Sequence, residues 1–282
     1  MINFRMYIFC FAAILSFISI SLAQAQAVKQ LDVPYVPTPY VVIEEMLRLA
    51  SIRPDDFLID LGSGDGRVLI TAAQRYGARG LGVDLDEELV AMSQYSAAEA
   101  GITDRVQFLN QDLFQTDLSP ATVITMYLVP RVMMRLQDKL YALKPGTRLI
   151  SHDFDLGEWR PDAVTQIRKN TFLWVVPAKI SGPWVARFQL QNEVIELQIN
   201  WRQKFQEIDG YAKINGRGMQ VWQAKLVGNR IGFIIVDDRD RDRETSLYFE
   251  GVVDDGLMTG QLRRGTGNVQ VLTSWQAERF NE

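Results

Sequence analysis

Cysteine is all but missing from this chain, with one, Cys10, in 282 residues. It lies in an apolar N-terminal stretch, so the remainder can hold no disulfide, no cysteine-ligated zinc and no cysteine nucleophile. Histidine is equally scarce. His152 stands alone, which excludes a multi-histidine metal centre and leaves little for serine-hydrolase chemistry. Positive charge is not in excess: 30 Lys and Arg against 34 Asp and Glu give a formal charge of −4 and a pI near 5.3. No overall basic footprint therefore points to nucleic acid. Hydrophobic residues at 47% and charged residues at 23% exclude extended disorder, collagen and coiled coil. What is left is chain enough for about two ordinary domains.

The N-terminus has the three parts of an export signal. Met1 to Met6 carries Arg5 and no acid, and Tyr7 to Leu22 is apolar but short of a comfortable membrane span. Small-residue cleavage patterns follow at Ala23-Gln24-Ala25 and Ala25-Gln26-Ala27. Residues 1–27 are expected to be a cleaved signal peptide, which places the body in the periplasm or outside the cell. The alternative is an uncleaved signal anchoring it to the inner membrane, with the body still on the outer side. Membrane or envelope association is part of either expectation.

Two periodicities divide the rest. Val42, Ile43, Met46, Leu47 and Ala50 recur at helical spacing, as do Val68, Leu69, Ala72 and Ala73. Short apolar runs at 57–61, 80–83, 106–109, 122–127 and 148–154 read as strands, with helices over 87–100 and 132–143. Alternation at this spacing predicts an α/β domain over residues 28–190, a doubly wound sheet covered on both faces. Residues 172–176 and 184–190 are expected to close that domain as a hairpin. From 191 to 282 apolar and polar residues alternate between Asp209-Gly210, Asn215-Gly216, Gly228-Asn229 and Asp255-Gly256, pairs suited to two-residue hairpin turns. A small antiparallel β sandwich or barrel is predicted there, its core filled by Trp201, Trp222 and Trp275. The run Asp237 to Glu244 alternates in sign and reads as a solvated hairpin tip. As a calcium loop it lacks the turn glycine and the downstream bidentate acid.

Between the first strand and the helix that follows lies Asp60-Leu61-Gly62-Ser63-Gly64-Asp65-Gly66. Glycines there let backbone amides approach a ligand at the carboxyl end of the sheet. The spacing is G-x-G-x-G, with Arg67 where a dinucleotide-binding turn has its third glycine, and no Lys-Ser/Thr ending for a phosphate loop. Three acids stand at successive strand ends. Asp60 enters the turn, placed to meet the amino group of an amino-acid-like ligand. Asp84 ends the second strand, where an acid can accept both ribose hydroxyls. Asp112 follows the third, within reach of an adenine amine. Each alone could be a solvated loop acid; three at successive strand ends are much harder to get by accident.

With these residues the chain, over about 33 to 160, resembles a class I S-adenosylmethionine-dependent methyltransferase with a Rossmann-like sheet. It is most similar to the small protein-lysine methyltransferases of mitochondria, archaea and bacteria. The selective pieces are Val33-Pro34-Tyr35-Val36-Pro37-Thr38-Pro39, Asp60 to Arg67, Tyr127-Leu128-Val129-Pro130, and Pro145-Gly146 leading into Ser151. The resemblance covers under half of the chain and excludes the β-rich tail. It implies S-adenosyl-L-methionine as cofactor, held by Asp60, Gly62, Ser63, Gly64, Asp65, Gly66, Asp84 and Asp112. It also implies a protein lysine as acceptor, with Tyr35 and Pro130 on its path.

Transfer from a sulfonium to an amine is an in-line displacement, so positioning does most of the work. Tyr127, at the end of the fourth strand, is expected to line the amine channel, its ring against the ammonium; packing beside Pro130 is the plainer role. His152, at the end of the fifth, could accept a proton, or could be structural. No metal site, no nucleic-acid partner and no particular oligomeric state is expected. Two other functions fit the sequence: a non-catalytic envelope binding or scaffold protein that keeps the fold, and a small-molecule methyltransferase. An exported body is at odds with a cofactor made inside the cell.

Overall fold

The computed structural model describes residues 35–190, 193–237, 245–264 and 271–280. The expected signal segment, residues 1–27, and the charged run from 238 to 244 lie outside the described residues. The first part runs α1 (Tyr40–Leu49), β1 (Phe57–Leu61), α2 (Arg67–Tyr76), β2 (Arg79–Asp84), α3 (Glu87–Glu99), β3 (Val106–Asn110), β4 (Val123–Met126), α4 (Pro130–Tyr141) and β5 (Arg148–His152). A hairpin of β6 (Ala163–Ile167) and β7 (Lys169–Val175) completes it. Two of the helices start where the sequence offers a signal. Asp86 accepts from the backbone of Glu88 and Leu89 at the head of α3, and Pro130 opens α4.

The seven strands lie in the order β3-β2-β1-β4-β5-β7-β6, with β7 antiparallel to β5. β1 lies between β2 and β4, so the order reverses at β1, and the carboxyl ends of β1 and β4 flank the crevice where such sheets bind ligands. The apolar stripes of α1 and α2 (Val42, Ile43, Met46, Leu47; Val68, Leu69, Ala72) are buried with Leu58, Phe108, Val123 and Ile150 of the sheet in one core.

The second part is a closed barrel of β8 (Gly182–Leu190), β9 (Glu193–Lys204), β10 (Glu207–Ile214), β11 (Arg217–Val227), β12 (Arg230–Asp237), β13 (Thr245–Asp254), β14 (Leu257–Arg264) and β15 (Val271–Arg279). Every neighbour is antiparallel, and β15 returns to pair with β8, Ala277 opposite Ala186. Of the two forms expected, the barrel is the one observed. Eight strands leave an interior that side chains just fill. Phe233 stacks on Phe249 at 4.6 Å, with Trp275 edge-on to both. A void of about 10 Å³ remains beside Trp184 and Trp201, room for one water.

Three expectations for this part need correction. Residues 184–190 do not close the α/β sheet; they are β8, so the barrel begins near residue 182 rather than 191, and the closing hairpin is β6–β7. Asp209-Gly210 is not a turn but lies inside β10. Gly210 pairs with Trp201, and a Cβ there would come within 2.8 Å of the indole, so the glycine makes room for a ring. Trp222 is 51% exposed. A bulge between Trp222 and Lys225, with Gln223 at φ 49, shifts the register and turns Trp222 outward, and Trp184 fills the core in its place.

The barrel packs on the amino end of β5. Phe205, at the β9–β10 tip, stacks on Trp159 at 5.2 Å and meets Tyr141 edge-on. At the β11–β12 tip the Gly228 carbonyl accepts from Ala178 N–H at 2.8 Å. A Cβ on Gly228 would lie 3.2 Å from Gly146 Cα.

Candidate active site

The turn after β1 is held by its own backbone. Gly62 and Ser63 both donate to the Val83 carbonyl, at 2.9 and 3.0 Å, and Gly66 N–H donates to Ser63. Gly62, Gly64 and Gly66 have φ of 75°, 54° and 78°, a region that side-chain-bearing residues enter only with strain. Gly66 has a second reason to be glycine, since a Cβ would meet the Phe108 ring at 2.7 Å. It takes the helix-seating part that Arg67 cannot.

Asp84 lies at the end of β2 against this turn. One carboxylate oxygen accepts from Gly64 N–H and the other from Asp86 N–H, each at 2.9 Å. It is thereby fixed in place, with lone pairs left for a ligand. Asp60 is 4% exposed and accepts a hydrogen bond from Thr125 Oγ1 at 2.6 Å. Burial pushes its carboxyl up to about 7, against the Thr125 bond and with help from the negative charges of Asp84 and Asp65. The hydroxyl of Ser63 is buried without a partner. Asp112 accepts from Phe114 N–H at 2.8 Å, closing its own turn after β3.

Asp65 and Arg67 form a clasp. The guanidinium donates to both carboxylate oxygens, at 2.6 to 3.0 Å, and to the Thr38 carbonyl at 3.2 Å. Arg67 also lies over the Tyr40 ring. The clasp pulls Asp65 below the usual carboxylate range despite partial burial. Tyr35 hydrogen-bonds to Asp65, and its ring covers Gly64 so closely that a Cβ there would be 2.6 Å away. The residue assigned to the acceptor's path is thus placed on the glycine turn. The segment from Tyr35 to Tyr40 straps that turn down.

A second cluster stands at the ends of β4 and β5. Tyr127 meets His152 edge-on at 4.7 Å and stacks on Phe154 at 6.3 Å, while Pro130 starts α4 three residues on. His152 is 3% exposed. Burial lowers the imidazole's pKa, opposed by Asp153 and by a hydrogen bond to the backbone of Asn170. The ring is therefore neutral near pH 7, and its Nδ1 is buried with no partner.

The sequence reading missed Thr125, Arg67, Asp153 and Lys169. Thr125 faces Asp60 only because β4 pairs with β1 in that register, which no spacing shows. Arg67 was visible, as the end of a selective piece and as a missing third glycine, but its pairing with Asp65 two residues before it was not anticipated. Among the described residues, no group of three or more His, Cys, Asp and Glu could hold a metal.

The model of the ANTKMT methyltransferase domain matches residues 60–163 of this chain. A protein-lysine N-methyltransferase of Saccharolobus islandicus (strain REY15A) is 40% identical over 152 residues, 53% of this chain and 94% of that protein. An adenine nucleotide translocase lysine N-methyltransferase of Mus musculus is 34% identical over 158 residues, 56% of this chain and 68% of that one. Among solved structures, an RNA methyltransferase from Salinibacter ruber, in complex with S-adenosyl-L-homocysteine, is 47% identical. It has a TM-score of 0.50 and covers 51% of this chain and 96% of its own. The family match ends at residue 163, so β7 and the barrel lie beyond it.

Proposed function

Because the chain belongs to the protein-lysine N-methyltransferase family that carries the ANTKMT methyltransferase domain, and is an S-adenosylmethionine-dependent methyltransferase, we propose that it methylates lysine side chains of a protein. The residues of the turn fit the cofactor. An unpartnered buried hydroxyl at Ser63 and an acid with free lone pairs at Asp60 suit an amino-acid tail. The carboxylate of Asp84, fixed by two backbone amides, suits a pair of ribose hydroxyls. S-adenosylmethionine supplies, when bound, an electrophilic methyl on a charged sulfur.

The observation that carries the lysine assignment is the pairing of Tyr127 with a neutral His152 at the rim beside the turn. A lysine arrives as an ammonium and must lose a proton to attack. The ring of Tyr127 offers its face to the cation. His152 Nδ1, uncharged and unpartnered, can hold the proton released. Radiolabelled methyl transfer into envelope extract, followed by acid hydrolysis, tests this. Methyl-lysine is the expected product. Label confined to small molecules refutes it. Label confined to RNA, the acceptor in the name of the Salinibacter ruber protein, refutes it too.

We also infer export. It rests on Arg5, the apolar run from Tyr7 to Leu22 and the alanines after it. Among the described residues no helix is long and apolar enough to cross a membrane. An intact Met1-containing chain in the soluble cytoplasmic fraction of its host would overturn this inference.

A further inference from the structure

We propose that Asp153 is the seat for the acceptor's ammonium group, and that Lys169 occupies this seat as an internal stand-in until the acceptor displaces it. The proposal deepens the lysine reading above and rests on it.

β5 ends at His152, and the next residue turns sharply. Asp153 has φ 71, a strained conformation for a residue with a side chain. It is held there by its N–H, which donates to the Asn170 carbonyl at 2.8 Å. His152 pairs with Thr171 of β7, so Asn170 and Lys169 run past the end of β5 to the same rim. The β6–β7 hairpin then turns at Arg168, itself at φ 65. Two strained residues therefore bring one ammonium and one carboxylate together, and Lys169 Nζ pairs with Asp153 Oδ2.

The surroundings of that pair are those an acceptor lysine would need. Asp153 directly follows His152, whose ring meets Tyr127, and Phe154 stacks on Tyr127 in turn. Lys169 is held in its charged form by Asp153. A primary ammonium thus already sits on a carboxylate that directly follows the histidine of the rim. The two partners are unequal. The Asp153 side chain is 18% exposed and that of Lys169 is 55% exposed. The acid is the fixed member, and the lysine can swing into water at little cost. Asp153 favours the charged amine, so docking there comes before the uncharged state that reacts. The neighbouring His152 is positioned to receive the proton in between.

The test uses the full chain saturated with S-adenosylhomocysteine and titrated with butylammonium, the lysine side chain alone, read by ligand-observed NMR. Lys169→Met removes the stand-in and keeps its length. It should tighten butylammonium binding about two- to fivefold, the range for releasing an exposed ion pair. Adding Asp153→Asn should remove the gain. Unchanged or weaker binding in Lys169→Met, with its melting temperature intact, overturns the proposal, since Lys169 would then merely support the rim. A gain that survives Asp153→Asn overturns it as well. Calorimetry of S-adenosylhomocysteine on the same samples separates this outcome from failure of the methyltransferase reading, which would appear as no cofactor binding in wild type.

Discussion

The buried carboxyl of Asp60 ties the stability of the protein to its pH and to its cofactor. In the unfolded chain it titrates near 3.8; in the fold, burial pushes it up to about 7. Between those values the folded protein keeps a proton that the unfolded chain has released. Stability must therefore fall as pH rises through the window, and level off above it. A gap of about three units, at 1.36 kcal/mol each, sets a ceiling of about 4 kcal/mol. Relaxation around the charge brings the expected figure down to about 2. Asp60→Asn removes the penalty and leaves an amide oxygen to accept from Thr125. Paired thermal unfolding should show the variant more stable than wild type at about pH 8.5, and little different at about pH 4.5. An advantage of the same size at both would refute the reasoning. The same group should govern binding. If Asp60 must be ionised to meet the cofactor's ammonium, affinity for S-adenosylhomocysteine falls about tenfold per pH unit below 7 in wild type. In the variant, weaker above pH 7, this slope is absent, so the two affinities converge at low pH.

Gly64→Ala puts a methyl 2.6 Å from the Tyr35 ring at a φ of 54°. It should weaken S-adenosylhomocysteine binding more than tenfold by calorimetry, at ~1.4 kcal/mol per factor of ten. Gly64→Ala combined with Tyr35→Ala should recover part of that loss, and no recovery would show that the strap does not press on the turn. Truncation tests the domain boundary. A chain ending at Pro177 keeps all seven strands of the α/β sheet and should bind S-adenosylhomocysteine within a few-fold of the full protein, with a lower melting temperature. One ending at Asn192 keeps β8 without β9 or β15 to pair with, exposing Trp184, Phe188 and Leu190, and should aggregate in light scattering. If the longer fragment is the better behaved, the barrel does not begin where β8 does.

The parts of this protein that local chemistry dictates were legible in its sequence. A turn with glycines at 62, 64 and 66 between an apolar strand and an amphipathic helix has few other uses, and all three glycines have positive φ. Asn215-Gly216 and Asp255-Gly256 form the turns that their residues predict. What depends on pairing was not legible. Trp184 to Leu190 alternates as any half-buried strand does, and only the partner, β9 or β7, decides which sheet owns it. Gly210 looks like a turn residue because the ring that requires it, Trp201, lies on another strand. In the candidate site the same division holds. Asp60 and Asp84 announce themselves by position, whereas Thr125 reaches Asp60 through sheet register. Asp153 meets Lys169 through two positive φ values at residues that carry side chains.

The two ends of the α/β sheet carry different work. The glycine turn, Asp84, Tyr127, His152 and the Asp153–Lys169 pair all stand at or beyond the carboxyl ends of β1, β2, β4 and β5. The barrel touches the other end, through Gly228 on Gly146 and Phe205 on Trp159 and Tyr141. Among its described residues, those that touch the sheet therefore lie away from the cofactor turn and from the reacting amine. Nor does it hang on a free linker, because Ala178, four residues before β8, already donates to Gly228. A side-chain-filled barrel fixed to the back of the sheet has only its outer surface to offer, and there Trp222 stands 51% exposed on a bulged strand. None of these barrel contacts lies on the rim at the carboxyl end. Among the described residues, the groups suited to cofactor and acceptor all belong to the seven-stranded sheet and its loops.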